Sequence, residues 1–184
     1  ATASSLAIGS YTVTATDANG CTATNVAVIN EPTLLSVNIS STANVLCNGG
    51  STGSATALAS GGTSPYTYQW SSGSSSALAS SLSAATYTVT ATDANSCTAS
   101  TTVVISEPTL LTVSITASTD ELCFGASTGS ATALASGGTS GYSYQWSSGN
   151  LTASASSLAA GTYTVTATDA NGCTATTTAA ISEP

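Results

Sequence analysis

Apolar and polar residues alternate along most of this chain. In residues 86–92, Tyr87, Val89 and Ala91 fall on one face and threonines on the other, the period of two expected of a half-buried β-strand. Asp93-Ala94-Asn95-Ser96 follows as a turn, written Asp-Ala-Asn-Gly at 17–20 and 169–172. Asn and Gly tolerate positive φ, and Asp can accept from nearby backbone amides. The chain returns through 97–105, which predicts a β-hairpin. Upstream, residues 34–39, residues 54–60 (ended by Gly61-Gly62) and residues 66–70 read as strands, and 76–82 as a weaker one. In 66–70 the aromatics Tyr66, Tyr68 and Trp70 alternate with polar residues, so Trp70 is expected at the centre of a core. No segment has helical periodicity. Six or seven short strands with frequent turn signals predict an all-β fold, a β-sandwich.

The pattern repeats every 76 residues: Cys21, Cys97 and Cys173 share this spacing, as do Cys47 and Cys123, Trp70 and Trp146, and the Glu-Pro pairs at 31–32, 107–108 and 183–184. A fixed period means one folded unit copied in tandem, and tandem sandwiches make a linear rod or fibre. Residues 33–108 and 109–184 are complete copies. Residues 1–32 match only the last part of one, with Leu6 aligned to Leu82 and Asp17 to Asp93. Half a sandwich cannot close its core, so the chain is expected to be a window on a longer polypeptide. The alternative is a complete protein with a degenerate first copy. Glu107-Pro108 runs directly into Leu110-Leu111, which leaves almost no linker and predicts a stiff junction.

Each complete copy has a small apolar set, including Leu34, Leu35, Val37, Ile39, Leu82, Val103 and Ile105 besides the aromatics. Domains of this size usually need a staple. Cys47 with Cys97, and Cys123 with Cys173, would close one loop per copy, worth about 4 kcal/mol by chain entropy. Cys21 would then pair with a cysteine upstream. The alternative pairs Cys21 with Cys47 and Cys97 with Cys123, bridging neighbouring copies. Loop entropy does not separate the two; self-contained modules favour the first. Structural disulfides imply an oxidising, extracellular setting.

Composition removes several functions. The chain has no Lys, Arg or His and a net charge of −8. Such a surface repels nucleic acid and anionic membranes and offers trypsin-like proteases no cleavage site. No membrane span is visible in this segment. More than a third of the residues are Ser or Thr, a bias that favours disorder, yet the regular apolar alternation favours folding. Catalysis lacks a His or Lys base and a Ser-His-Asp triad. The carboxylates are Asp17, Asp93 and Asp169 in the hairpin turns, Glu31, Glu107 and Glu183 at the Glu-Pro pairs, and Asp120-Glu121. We expect no enzyme activity, metal or cofactor. Asp-Ala-Asn-Gly reads as a turn, since the late Glu of a calcium loop is missing. Glu107 with Asp120 and Glu121 is a weaker calcium constellation. Asn38-Ile-Ser and Asn150-Leu-Thr fit the glycosylation sequon.

Residues 61–70, the segment 158–173 and the closing Glu-Pro together resemble the SprB-type repeat of very large cell-surface adhesins of gliding and related Bacteroidota. The resemblance spans essentially all of each copy. The Tyr-x-Trp strand is also similar to PKD-like and other immunoglobulin-like sandwiches. The family implies immunoglobulin-like modules in a secreted, surface-displayed, many-repeat protein of adhesion or gliding. The expected function is the stalk of an extracellular adhesin or filament, with neighbouring repeats as partners and lateral self-association. The alternatives are a polysaccharide-binding array using exposed aromatics, and accessory domains of a secreted enzyme.

Overall fold

The computed structural model describes residues 1–184 and contains fourteen strands and no helix. The first partial copy is a lone hairpin, β1 (Gly9–Thr16) and β2 (Thr22–Ile29). In the next copy β3 (Ser36–Ala43), β4 (Gly53–Ser60) and β6 (Leu78–Leu82) form one antiparallel sheet in the order β3-β4-β6. The second sheet, in the order β5-β7-β8, contains β5 (Thr67–Trp70), β7 (Ala85–Thr92) and β8 (Thr98–Ile105). The last copy repeats this plan. There β9 (Thr112–Thr119), β10 (Gly129–Ser136) and β12 (Ser154–Leu158) form one sheet. The other contains β11 (Ser143–Trp146), β13 (Gly161–Thr168) and β14 (Thr174–Ile181).

The expected strands are all present, within a few residues of their expected ends. Trp70 and Trp146 are buried at the centre of their sandwiches. Each indole Nε1 donates to a backbone carbonyl, of Ser76 and Thr152, at 3.0 Å, so burial leaves no polar atom of the ring unpaired. Opposite the tryptophan the sheet is lined with small residues. In β4, Gly53, Ala55, Ala57 and Ala59 point inward while Leu58 points to solvent. Small residues facing a large one is how a thin core reaches native density. At Gly53 a Cβ would lie 2.6 Å from Ile105 Cγ2, so glycine is required there by close approach. Leu34, expected in the core, is 90% exposed, and its neighbour Leu35 takes the inward position.

The lone hairpin has the same register as its counterparts: Gly9 lies opposite Ile29 as Ala85 lies opposite Ile105. Its inward face is open. Val13 is 59% exposed, whereas the equivalent Val89 and Val165 are fully buried.

Strand direction gives each sandwich two poles. One pole, the entry pole, holds the start of the copy, the Gly61-Gly62 loop and the 93–97 turn. The exit pole holds the 44–52 loop and Ser106-Glu107. Between Cys47 and Cys97 the chain crosses from pole to pole three times, along β4, β5 with β6, and β7, because β5 has 4 residues and β6 has 5 and the two share one crossing. Trp70 pairs with Val89 midway along β7, and Leu78 pairs with Thr56 midway along β4. β5 therefore covers the first half of the traverse and β6 the second.

One residue breaks the pattern. Glu121 stands where the preceding copy has Val45; it is 5% exposed, and neither carboxylate oxygen has a hydrogen-bond partner. A buried carboxylate without partners is costly. Glu121→Val is expected to stabilise the β9–β14 sandwich by about 2–4 kcal/mol, read as a rise in its thermal midpoint by circular dichroism. Val45→Glu should lower the midpoint of the preceding copy. An unchanged midpoint in Glu121→Val would mean that the carboxylate is solvated.

Candidate functional site

The region that gathers the most polar chemistry is the junction between the β3–β8 sandwich and the β9–β14 sandwich. On the exit side the 44–52 loop folds over the end of β8. Asn44 Oδ1 accepts from Ser106 N at 3.0 Å, and Val45 N donates to Ser106 O at 2.9 Å. Glu107 then holds the loop tip. Its carboxylate accepts from Gly49 N at 2.6 Å and from Asn48 Nδ2 at 3.1 Å, and Asn48 Nδ2 also donates to Pro108 O at 3.0 Å. The Glu-Pro pair is thus bound to the sandwich it leaves, with no slack as a tether.

The entry side is built around Asp169. Its Oδ1 accepts from Asn171 N at 2.9 Å and Cys173 N at 2.9 Å, and its Oδ2 from Thr139 N at 2.8 Å. Asp93 makes the same three bonds with Asn95, Cys97 and Thr63. These amides, that of Thr63 or Thr139 foremost, hold each carboxyl below its ordinary value near 3.8, against the opposing effect of burial. Asp93 Oδ2 sits against Gly62, whose φ is 59° and where a Cβ would lie 2.6 Å from that oxygen. The Gly-Gly loop is therefore required by both backbone conformation and space. Asp17, in the lone hairpin, keeps only the two turn bonds.

The two sides meet covalently. Cys47, in the exit loop of one copy, is bonded to Cys173, in the entry turn of the next, with a Cα–Cα distance of 5.7 Å and a sequence separation of 126. Beside it Asn171 Nδ2 donates to Leu46 O at 3.0 Å across the junction. Contact also shows in exposure. Leu46 is 49% exposed against 80% for Leu122, its counterpart at the far exit pole. Leu110 is 63% exposed against 90% for Leu34.

This pairing corrects both expected ones. Cys47 and Cys97 lie at opposite poles of one sandwich, a strand of 8 residues apart, or roughly 27 Å; no disulfide reaches that far. Cys123 and Cys173 are separated in the same way. The bridges Cys21–Cys47 and Cys97–Cys123 would span two sandwich lengths. Cys21, Cys97 and Cys123 are free and exposed.

The other candidate residues are dispersed. Glu107 is at the junction, while Asp120 accepts from Ser182 N at the far exit pole, at 2.8 Å, so the weaker calcium constellation is not assembled. No three His, Cys, Asp or Glu side chains converge as metal ligands. Asn38 is exposed on β3, and Asn150 is half-buried in the turn after β11, where its Oδ1 accepts from Ser148 Oγ at 2.8 Å. The aromatics serve the core. Tyr66 Oη donates to Gly61 O at 2.6 Å, and Tyr68 Oη accepts from Ala59 N at 3.1 Å. A buried Trp70 presents no face on which a sugar could stack. Sequence reasoning missed Asn48, Asn95 and Asn171; the recurrence of the last two in the same turn was the available signal.

The fold and junction define a tandem array of immunoglobulin-like β-sandwich repeats. The SprB repeat family model matches residues 39–75 and 115–151, so the chain is similar to SprB repeats over one segment of each sandwich. Both matches fall in the first half of a copy, where the Gly-Gly loop and the Tyr-x-Trp strand lie. No curated protein matches the chain. Among solved structures it is similar to the three N-terminal domains of the highly immunogenic outer capsid protein (Hoc) of bacteriophage RB49, with TM-score 0.50 and 19% identity. That match covers 80% of this chain and 59% of that one, so the chain spans less than two thirds of this relative. A C-terminal 282-residue fragment of intimin, solved with the intimin-binding domain of the translocated intimin receptor, matches at TM-score 0.39 and 16% identity, over 79% of this chain and 62% of that one.

Two measurements test the junction. A non-reduced digest with chymotrypsin and a Glu-specific protease should yield a peptide joining Cys47 to Cys173, with Cys21, Cys97 and Cys123 alkylated without reduction. A Cys47–Cys97 peptide would refute the assignment. The second concerns pH. A carboxyl whose folded pKa is lowered contributes stability that is present above its unfolded value and is lost as pH falls through the folded one. The double variant Asp93→Asn, Asp169→Asn should therefore have a lower urea midpoint at pH 7 and a flatter decline from about pH 5 to pH 2. Superimposable acid limbs would exclude the two aspartates as the titrating groups.

Proposed function

We propose that this chain is part of the stalk of an extracellular bacterial surface adhesin or filament, each 76-residue copy forming one stiff module. The observation that carries this reading is the junction. The exit loop, the Glu-Pro pair and the entry turn of the next copy are bound together by hydrogen bonds and one disulfide, leaving no hinge. A protein that only needed several copies of a binding domain would gain reach from flexible tethers; a stalk needs the opposite. The disulfide supports an oxidising location outside the cell. The similarity to SprB repeats supports surface display, and the partners are neighbouring repeats of the same chain, with lateral association of arrays. The burial of Trp70, with Tyr66 and Tyr68 half-buried against the core, argues against polysaccharide binding through these aromatics.

Solution scattering tests stiffness. A compact body of this length would have a radius of gyration of about 16 Å. A stiff row of two sandwiches and a hairpin, roughly 100 Å long at about 3.3 Å per strand residue plus turns, should give nearly twice that, unchanged on dilution. A value near the compact one would overturn the stalk. In electron micrographs of native material the same row should show an axial repeat of about 35–45 Å.

A further inference from the structure

The position of the disulfide determines how tension crosses the molecule. Load applied along the array enters the first complete copy at Thr33 and runs up β3 to Cys47. There the backbone could carry it through β4 to β13, but the bond to Cys173 offers a direct covalent route into β14 and out at Pro184. Both strands on this route run from entry pole to exit pole, along the array, and both are already extended. Everything between residues 47 and 173 lies inside the closed loop.

We propose that the Cys47–Cys173 bond acts as a tension strap that makes the two-repeat unit almost inextensible. Residues 33–47 and 173–184, fully drawn out at about 3.3–3.6 Å per residue, reach roughly 90–100 Å. Two folded sandwiches end to end already measure roughly 80 Å. The strap thus becomes taut before either sandwich can be pulled apart, and β4–β8 and β9–β13 carry no sustained axial load. A bridge within each copy would protect less: residues between Cys97 and Cys123 would stay in the load path. This inference rests on the bond and the strand directions, not on where the protein is displayed. In an array in which the pairing recurs, β8, the linker and β9 form a second strap, with Cys97 and Cys123 at its ends.

Single-molecule stretching of the full chain, held by terminal peptide tags that contain no cysteine, tests this directly. Under oxidising conditions the contour length should stop at roughly 200 Å, the reach of residues 1–47 and 173–184. Adding reductant should release the 126-residue loop, a further 430 Å or so, and Cys47→Ser should give the long contour without reductant. Contour length does not require that the variant fold, so a destabilised Cys47→Ser still reports. Release of about 50 or 100 residues would indicate closure within copies and overturn the proposal. So would equal contour lengths with and without reductant.

Discussion

The arrangement depends on one constraint: β5 and β6 are too short to cross the sandwich alone, so together they make one crossing. Trp70 ends β5 at mid-sheet, and the chain then changes sheets to start β6 at Leu78. Had both been full strands, the 93–97 turn would sit at the exit pole beside the 44–52 loop, and Cys47 could have closed on Cys97. Instead the two cysteines of each copy are at opposite ends. A bond is then possible only with the next copy, so the staple that a small core needs also joins modules. The stiffness of the junction and the load path both follow from that count of crossings.

The core is thin and is completed by polar satisfaction. Alanines from β4, β6 and β7 surround a single tryptophan, and alanine loses no side-chain entropy on burial. What the core lacks in apolar area it offsets by leaving few polar groups unpaired: the indole, the tyrosine hydroxyls and the turn aspartates all have partners. Glu121 is the exception, at a site where the preceding copy carries valine. The lone hairpin shows the converse: it forms its ladder in the same register, but Val13 remains open to solvent because a two-stranded sheet covers nothing.

Much of this was legible in the sequence. Period-two alternation located the strands, and Trp70 read correctly as core. Leu34 did not, because Leu34-Leu35 offers two apolar residues to one inward position and pattern alone does not choose the phase. The disulfide was illegible for a topological reason. Loop entropy depends on chain separation, whereas pairing depends on which pole each cysteine occupies. Strands of 4 and 5 residues sharing one crossing leave no mark in the hydrophobic pattern that distinguishes them from two crossings. The asparagines of the junction act through single side-chain amides, which periodicity does not register.

The absence of cationic side chains explains where the carboxylates went. Without Lys or Arg to pair with, an Asp or Glu gains stability chiefly from backbone amides, and in a β-sandwich the free amides are in the loops at the poles. Asp93, Asp169, Glu107, Glu183 and Asp120 all accept from backbone N–H groups there. Asp17 does the same in the lone hairpin, Glu31 adjoins an entry pole, and Glu121 lies in the far exit loop. The net charge of −8 is thus concentrated at the ends of modules, while the strand flanks carry hydroxyls. Along the array, successive charge clusters are separated by a sandwich length, several times the Debye length of about 8 Å at physiological salt. Two arrays lying side by side in staggered register would bring neutral Ser and Thr flanks together and keep the charged poles apart. Like-charge repulsion, which ordinarily keeps an acidic protein monomeric, therefore opposes end-on misassembly more strongly than lateral packing.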